Sequence, residues 1–213
     1  MDNKLITIIT AAWRVDGLKR VMDCLESQTY RKFHHIIIND NSADVRNWLQ
    51  ENNFFCDRDD VHIVDNHTRC HTYGGVSRNM GITMAFSYIR ECNRDYDNEI
   101  ICFLDDDNLW ENNHLESMIQ ILGDNDIVFS DAKWVGANEK DWQEIHPFKC
   151  QQGGFDLGQG MYKRKLFTEI GYFNPRPRRK HKFDFEIINK FIDSGCSVAL
   201  TNLPTFIMSY RKR

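Results

Sequence analysis

The chain has 213 residues, 41% of them hydrophobic and 12% aromatic, and carries a formal net charge of −4. That is enough apolar material for one sizeable core, and it argues against a disordered chain and against a general nucleic-acid binder. No window approaches the roughly 18 apolar residues of a membrane span; the opening MDNKLITIITAAW, with an acid at position 2, is unlike a signal peptide. Seven cysteines are scattered singly without a C-x-x-C pair, the usage of a reducing, cytoplasmic setting, and indicate neither a disulfide frame nor a zinc site.

In chain order, LITIIT (5–10) is a continuous apolar run, as expected of a strand buried on both faces. GLKRVMDCLESQ (17–28) follows, with Leu18, Val21, Met22 and Leu25 on one helical face. HHIIIND (34–40) reads as a second strand, ADVRNWLQEN (43–52) as a short helix and VHIVD (61–65) as a third strand. A longer helix is expected over 75–92, with Val76, Met80, Ile82, Thr83 and Phe86 inward. EIICFL (99–104) is the fourth strand, and ENNHLESMIQILG (111–123) the next helix, closed by Gly123. Such alternation predicts parallel strands in an open, doubly wound sheet.

Beyond 126 the pattern loosens. DIVFSDAKWVG predicts another strand, QQGGFDLGQG a polar, glycine-rich passage, and YKRKLFTEI a short helix. NPRPRRKHK (174–182) is a basic loop, FDFEIINKFIDSG (183–195) a last helix, and two short strands are expected to finish the chain. A single α/β domain spanning 1–213 is predicted, its first 110 or so residues forming an open, mostly parallel sheet flanked by helices and its last third irregular.

The most informative stretch is FLDDDNLW (103–110), where three carboxylates follow a buried strand. In open parallel sheets, ligands sit beyond the carboxyl ends of the strands, so Asp40 and Asp105–Asp107 share one rim. Like charges crowded there require a cation, and oxygen donors suit Mg²⁺ or Mn²⁺, which commonly bridge to phosphates. Competing motifs fail on spacing. An EF-hand beginning at Asp105 would place Leu109 and Trp110 where a ligand and a glycine are required, and neither a G-x-G-x-x-G nor a Walker A sequence is present. The bland alternative is that the acids simply favour the start of the helix near 111.

The order of motifs resembles the inverting nucleotide-sugar glycosyltransferases of family 2, with the GT-A fold. The matching stretches are IITAAWR (8–14), SQTY (27–30), NDNS (39–42), GGVSRNMG (74–81), LDDDN (104–108), GQGMYKRKLFTEIGYF (158–173) and FDFE (183–186). Thr10 and Trp13 stand where the family has Pro and Asn, Asn39 replaces the first Asp of the second-strand pair, and Phe183 occupies the place of an acid. The resemblance implies that Thr10, Ala11, Ala12 and Arg14 cradle the nucleotide and that Asp40 accepts the uracil N–H. It further implies that Arg78 faces the nucleotide, that Asp105 and Asp106 contact ribose and metal-bound water, and that Asp107, with Asp105, holds the metal. Asp184 becomes the general base, with Glu186 as the fallback.

Bland readings stand beside these: an Asx turn for Asp40, a surface ion pair for Arg78, an N-cap for Asp184 and a structural amide for Asn79. His181 in the basic loop is a conceivable phosphate or metal contact. Trp110, Trp134 and Trp142 are either acceptor-stacking platforms or core. The implied activity is metal-dependent, inverting transfer of a hexose-type sugar from a UDP-sugar to a glycan or other hydroxyl. A sugar-phosphate nucleotidyltransferase and a non-catalytic nucleotide- or glycan-binding module are the alternatives. The division implied is nucleotide sugar on about 1–110 and acceptor on about 111–213, with no nucleic-acid or membrane partner.

Overall fold

A strand whose residues alternate between two apolar faces can only be satisfied by a layer on each side, and the central strands of this protein are of that kind. A computed structural model describes residues 4–54, 61–67, 74–91, 99–135, 142–145, 156–174 and 183–209. Four parallel strands form its first half: β1 (Ile6–Ala12), β2 (Phe33–Asp40), β3 (Val61–Asn66) and β4 (Ile100–Phe103), in spatial order β3-β2-β1-β4. They alternate with α1 (Val15–Glu26), α2 (Ala43–Glu51) and α3 (Gly75–Glu91).

Odd and even positions sort onto opposite faces. Ile9, Ile101 and Phe103 pack with Ile82 and Ala85 of α3. Ile6, Ile8, Cys102 and Leu104 pack with Val21 and Leu25 of α1. Thr83, expected on the inward face of α3, is exposed; Gly81 occupies the close contact instead, where a Cβ would lie 2.4 Å from Ile9 Cγ2. Among the described residues, no helix is long and apolar enough to cross a membrane.

The second half continues the same sheet with mixed polarity. β5 (Asn108–Trp110), α4 (His114–Leu122), β6 (Ile127–Val135) and β7 (Trp142–Ile145) are followed by a 3₁₀ turn at Leu157–Gln159. Then come β8 (Gly160–Lys163), α5 (Lys165–Glu169), α6 (Phe183–Asp193) and β9 (Val198–Ser209). β8 enters antiparallel between β4 and β6, and β9 lies parallel to β6 and antiparallel to β5. The fold is therefore α/β, a curled sheet whose first half, β1 to β4, is wholly parallel, flanked by helices.

Three expectations are corrected here. Tyr162 and Lys163 belong to a strand, so the helix expected over 162–170 shrinks to α5. β5 has no counterpart among the expected strands; its three residues pair with Phe206–Met208. The two short terminal strands are one, β9, with Pro204 opposite Asp131 where the register with β6 shifts, a place that tolerates a missing donor. α6 packs Ile187, Ile188 and Phe191 into the core that holds Phe103, Tyr162 and Phe167. The C-terminal helix is thereby fixed against the β4 side of the sheet.

Candidate functional site: a carboxylate rim around two arginines

The cation awaiting FLDDDNLW is, in the protein itself, a pair of arginines. Asp106 is buried, and its Oδ2 accepts from the main-chain N–H groups of Trp13 (2.8 Å) and Arg14 (2.6 Å). Its Oδ1 accepts from Arg14 Nε (3.2 Å) and is paired with Arg14 Nη2. Four protein donors thus converge on this carboxylate. It ties the loop after β1 to the loop after β4. Asp107 is half-exposed, with Oδ2 3.2 Å from Arg14 Nη2. The hydrogen bond to Asp106, supported by Asp107, raises the Arg14 guanidinium above its ordinary value against the opposing effect of burial.

α1 seats this loop. It begins after Arg14, whose side chain makes no cap bond, and Gly17 is so close to the turn that a Cβ there would lie 2.1 Å from Asp106 O. Asp105 points the other way, to Arg78 of α3, which is 5% exposed. Arg78, which the resemblance sets toward the nucleotide, is paired through Nη2 with Asp105 and lies 3.6 Å through Nη1 from Asp184 Oδ1. Burial opposes its charge, yet Asp105, Asp184 and Asp156 together raise it. Burial also pushes the Asp105 carboxyl up to about 6 against the pull of Arg78, with Asp184 and Asp107 adding to the rise.

Asp184 stands in the first turn of α6 and Glu186 follows in the same turn. Asp105 Oδ1 and Asp184 Oδ1 are both buried atoms without a hydrogen-bond donor among the described residues. Asp156, which sequence reasoning passed over, belongs to the same group. Its Oδ1 accepts from Gly158 N (2.8 Å), its Oδ2 from Asn108 Nδ2 (3.2 Å), and its own N–H donates to Gln159 Oε1 (2.9 Å). Burial, then Asp184 and Asp105, push the Asp156 carboxyl up to about 8. The only signal in the sequence was an Asp two places before a glycine in a glycine-rich passage, which reads equally well as a turn.

The other expected residues divide between rim and core. Thr10 is fully buried and bonded to His35 Nε2 (2.8 Å), Ala12 is core, and Ala11 between them is half-buried. Asp40 ends β2, and its Oδ1 accepts from Ser77 Oγ (2.6 Å). Asn39 explains its own departure from the family pattern. Its amide donates to Asp65 Oδ1 (2.7 Å) and Ser42 O (3.1 Å) while accepting from Ser42 N (2.9 Å), duties an aspartate could not combine. Asn79 is the structural amide anticipated, bonded both ways to Phe173 (2.9 and 3.0 Å). Trp110 is core: 3% exposed, stacked on His114 and donating to Gly158 O (2.9 Å). Trp134 is exposed, while His181, its basic loop and the Trp142 side chain lie outside the described residues.

Beside the carboxylates, a cavity of about 480 Å³ opens between the starts of α1 and α2, lined by Trp13–Asp16 and Asn41–Asp44. Trp13, 45% exposed, forms one wall. Among the described residues, no group of three or more His, Cys, Asp or Glu side chains is arranged to hold a metal ion unaided. What the rim does present is the half-exposed Asp107 carboxylate and the orphaned Oδ1 of Asp105, an all-oxygen donor set. That set fits a hard cation completed by water and substrate phosphate, the usual habit of Mg²⁺.

The model of "Glycosyl transferase family 2" matches residues 7–197. Among solved structures, S. aureus TarS 1–349 in complex with UDP superposes with a TM-score of 0.67 at 13% identity, over 97% of this chain and 60% of that one. TarS 1–349 with UDP-GlcNAc gives a TM-score of 0.67 at 14% identity, over 99% and 59%. The full TarS structure gives 0.68 at 11%, over 97% and 37%. The chain thus spans about 60% of the TarS 1–349 chains it matches, and at these identities the likeness concerns the fold. No curated protein sequence matches it. With the family model covering most of the chain, the chain belongs to glycosyl transferase family 2.

Proposed function

We propose that the protein transfers a hexose-type sugar from a UDP-sugar to a hydroxyl acceptor, with inversion, in one in-line displacement. The observation that carries this reading is the placement of Asp184 opposite Asp105 across a shared arginine, at the carboxyl ends of the parallel strands. Membership of the family supports the activity, and TarS structures with UDP and UDP-GlcNAc support the donor.

Asp184 takes the proton of the acceptor hydroxyl as its oxygen bonds to the anomeric carbon and the bond from that carbon to the diphosphate oxygen breaks, so that UDP leaves. Arg78 fixes Asp184 and Asp105 relative to each other. Asp40 accepts the uracil N–H, and the 10–14 backbone with Arg14 borders the nucleotide. Asp107, with Asp105 beside it, would hold Mn²⁺ or Mg²⁺, which when bound supplies Lewis-acid stabilisation of the leaving diphosphate. The first half of the chain serves the donor and the second half the acceptor.

The test is calorimetric titration of UDP into wild type, Asp107→Ala and Asp184→Asn, each with and without Mn²⁺, followed by turnover with UDP-sugars. Metal-dependent UDP binding should be lost in Asp107→Ala. It should persist in Asp184→Asn, whose turnover falls by about 10²–10⁴-fold. Comparable turnover in Asp184→Asn removes it as the base, and pyrophosphate in place of UDP as product makes the protein a nucleotidyltransferase.

A further inference from the structure

We propose that the cavity between the starts of α1 and α2 is a second ligand site, taking one neutral pyranose ring of a glycan against Trp13, apart from the place of the nucleotide sugar. Strand alternation separates the two places, because successive side chains of a strand point to opposite faces of the sheet. Ile9 of β1 and Ile36 and Ile38 of β2 share a core with Ile82 and Ala85 of α3, so Ala11 and Asp40, each two places further along, belong to that face. Contacts with α3 and its approach agree: a Cβ on Gly74 would lie 3.7 Å from Ala11 Cβ, and Ser77 Oγ donates to Asp40 Oδ1 (2.6 Å). Ala12 and Ile37 pack instead with Leu18 of α1 and Val45 of α2. The cavity, about 480 Å³, lies at the starts of the two helices that cover this second face, and neither Ala11 nor Asp40 lines it.

Both walls are pinned by the protein itself. On one side Asp106 Oδ2 accepts from the main-chain N–H groups of Trp13 (2.8 Å) and Arg14 (2.6 Å). On the other, the Asn39 side chain accepts from Ser42 N (2.9 Å) and donates to Ser42 O (3.1 Å), while Ser42 Oγ caps α2 through Val45 N (3.3 Å). Asn41 between them has a left-handed φ of 59°, which asparagine tolerates. A cavity preorganised in this way loses little freedom when it is filled. Its lining has the chemistry of a sugar site. The indole of Trp13, 45% exposed, is a flat apolar wall, and a pyranose has a CH-lined face to lay against it. Asp16, Asn41 and Asp44 supply oxygen acceptors and an amide donor for hydroxyls at the edge of the ring. Among the described residues, none of these three side chains has a hydrogen-bond or ion-pair partner. Charge disfavours a phosphate or a nucleotide as the occupant, since two carboxylates line the cavity and the Arg14 guanidinium is committed to Asp106 and Asp107.

The experiment titrates methyl glycosides of glucose, galactose, mannose and N-acetylglucosamine into the whole chain, read by saturation-transfer NMR, with and without saturating UDP and Mg²⁺. Wild type is compared with Trp13→Ala and Asp44→Ala. At least one glycoside should bind wild type with millimolar affinity, as expected of a single small ring, and UDP should leave that affinity unchanged. Each variant should weaken it by about 10-fold or more. Asp44→Ala, an exposed change, should keep the fold and the affinity for UDP. A wild type that binds none of the four glycosides overturns the site, as does binding that UDP displaces or that both variants leave unaltered. Binding of inorganic phosphate or adenosine monophosphate that Trp13→Ala removes overturns the choice of a neutral sugar. The transferase reading fails separately: a wild type that holds a glycoside against Trp13 but binds no UDP loses that reading and keeps this site.

Discussion

Asp106 and Asp107 are neighbours in the chain with opposite environments, and at the residue scale this is where sequence and structure part most sharply. Asp106 has a side chain 5% exposed and four donors, while Asp107 is 45% exposed and touches Arg14 at 3.2 Å. Removing a buried carboxylate leaves main-chain N–H groups unpaired and an arginine without its partner. Asp106→Ala should therefore lower stability by about 3 kcal/mol. Asp107→Ala, at an exposed pair, should change it by less than about 1 kcal/mol while removing metal-dependent UDP binding. Urea unfolding midpoints at a common m-value check this, and equal losses in the two variants would contradict the division. The sequence presents both residues alike, since three consecutive aspartates carry no mark of which one turns inward.

Among the elements, α1 and the turn after β4 depend on the missing side chain at Gly17. Exchanging glycine for alanine inside a helix normally stabilises by about 1 kcal/mol. Here the new Cβ would meet a backbone oxygen at 2.1 Å, and backbone cannot swing aside as a flexible side chain can. Gly17→Ala should therefore destabilise by about 1–3 kcal/mol and weaken UDP binding as the Asp105–Asp107 loop is displaced. Thermal unfolding with and without UDP reports both effects; a rise in melting temperature would show that the helix moves away freely. α3 is joined to the IGYF segment in a comparable way, through the Asn79–Phe173 bonds, which hold the helix carrying Arg78.

For the whole molecule, the sheet carries a second buried polar cluster, at the strand ends opposite the carboxylate rim. Glu99 precedes β4, is 3% exposed, and accepts from Thr7 Oγ1 (2.9 Å) with Arg164 Nε 3.4 Å from its other oxygen. His34 Nε2 shares the Thr7 hydroxyl (3.1 Å). Burial outweighs Thr7 and Arg164 and pushes the carboxyl from 4.5 up to about 7. The folded protein then binds more protons than the unfolded chain between those values. The contribution from Glu99 is complete below about pH 4.5 and is lost as pH rises through about 7, in all about 3 kcal/mol. Stability measured from pH 5 to 8 should fall less steeply in Glu99→Gln than in wild type. Parallel profiles would mean that Glu99 is ionised throughout.

The sequence by itself determined the parallel half of the sheet, its helices and the acidic strand end. Those elements advertise themselves locally, through apolar runs such as Ile6–Ile9 and Ile36–Ile38, helical spacing in α1, and carboxylates directly behind EIICFL. Only the tertiary structure decided β5, β8 and the single long β9, because strands of three or four residues have little preference until a distant partner supplies their hydrogen bonds. It alone placed Arg78 between Asp105 and Asp184, residues 27 and 106 positions away, and turned Asp106 inward and Asp107 outward. A carboxylate's task depends on the charge and donors opposite it, and in this protein those come from other elements of the chain.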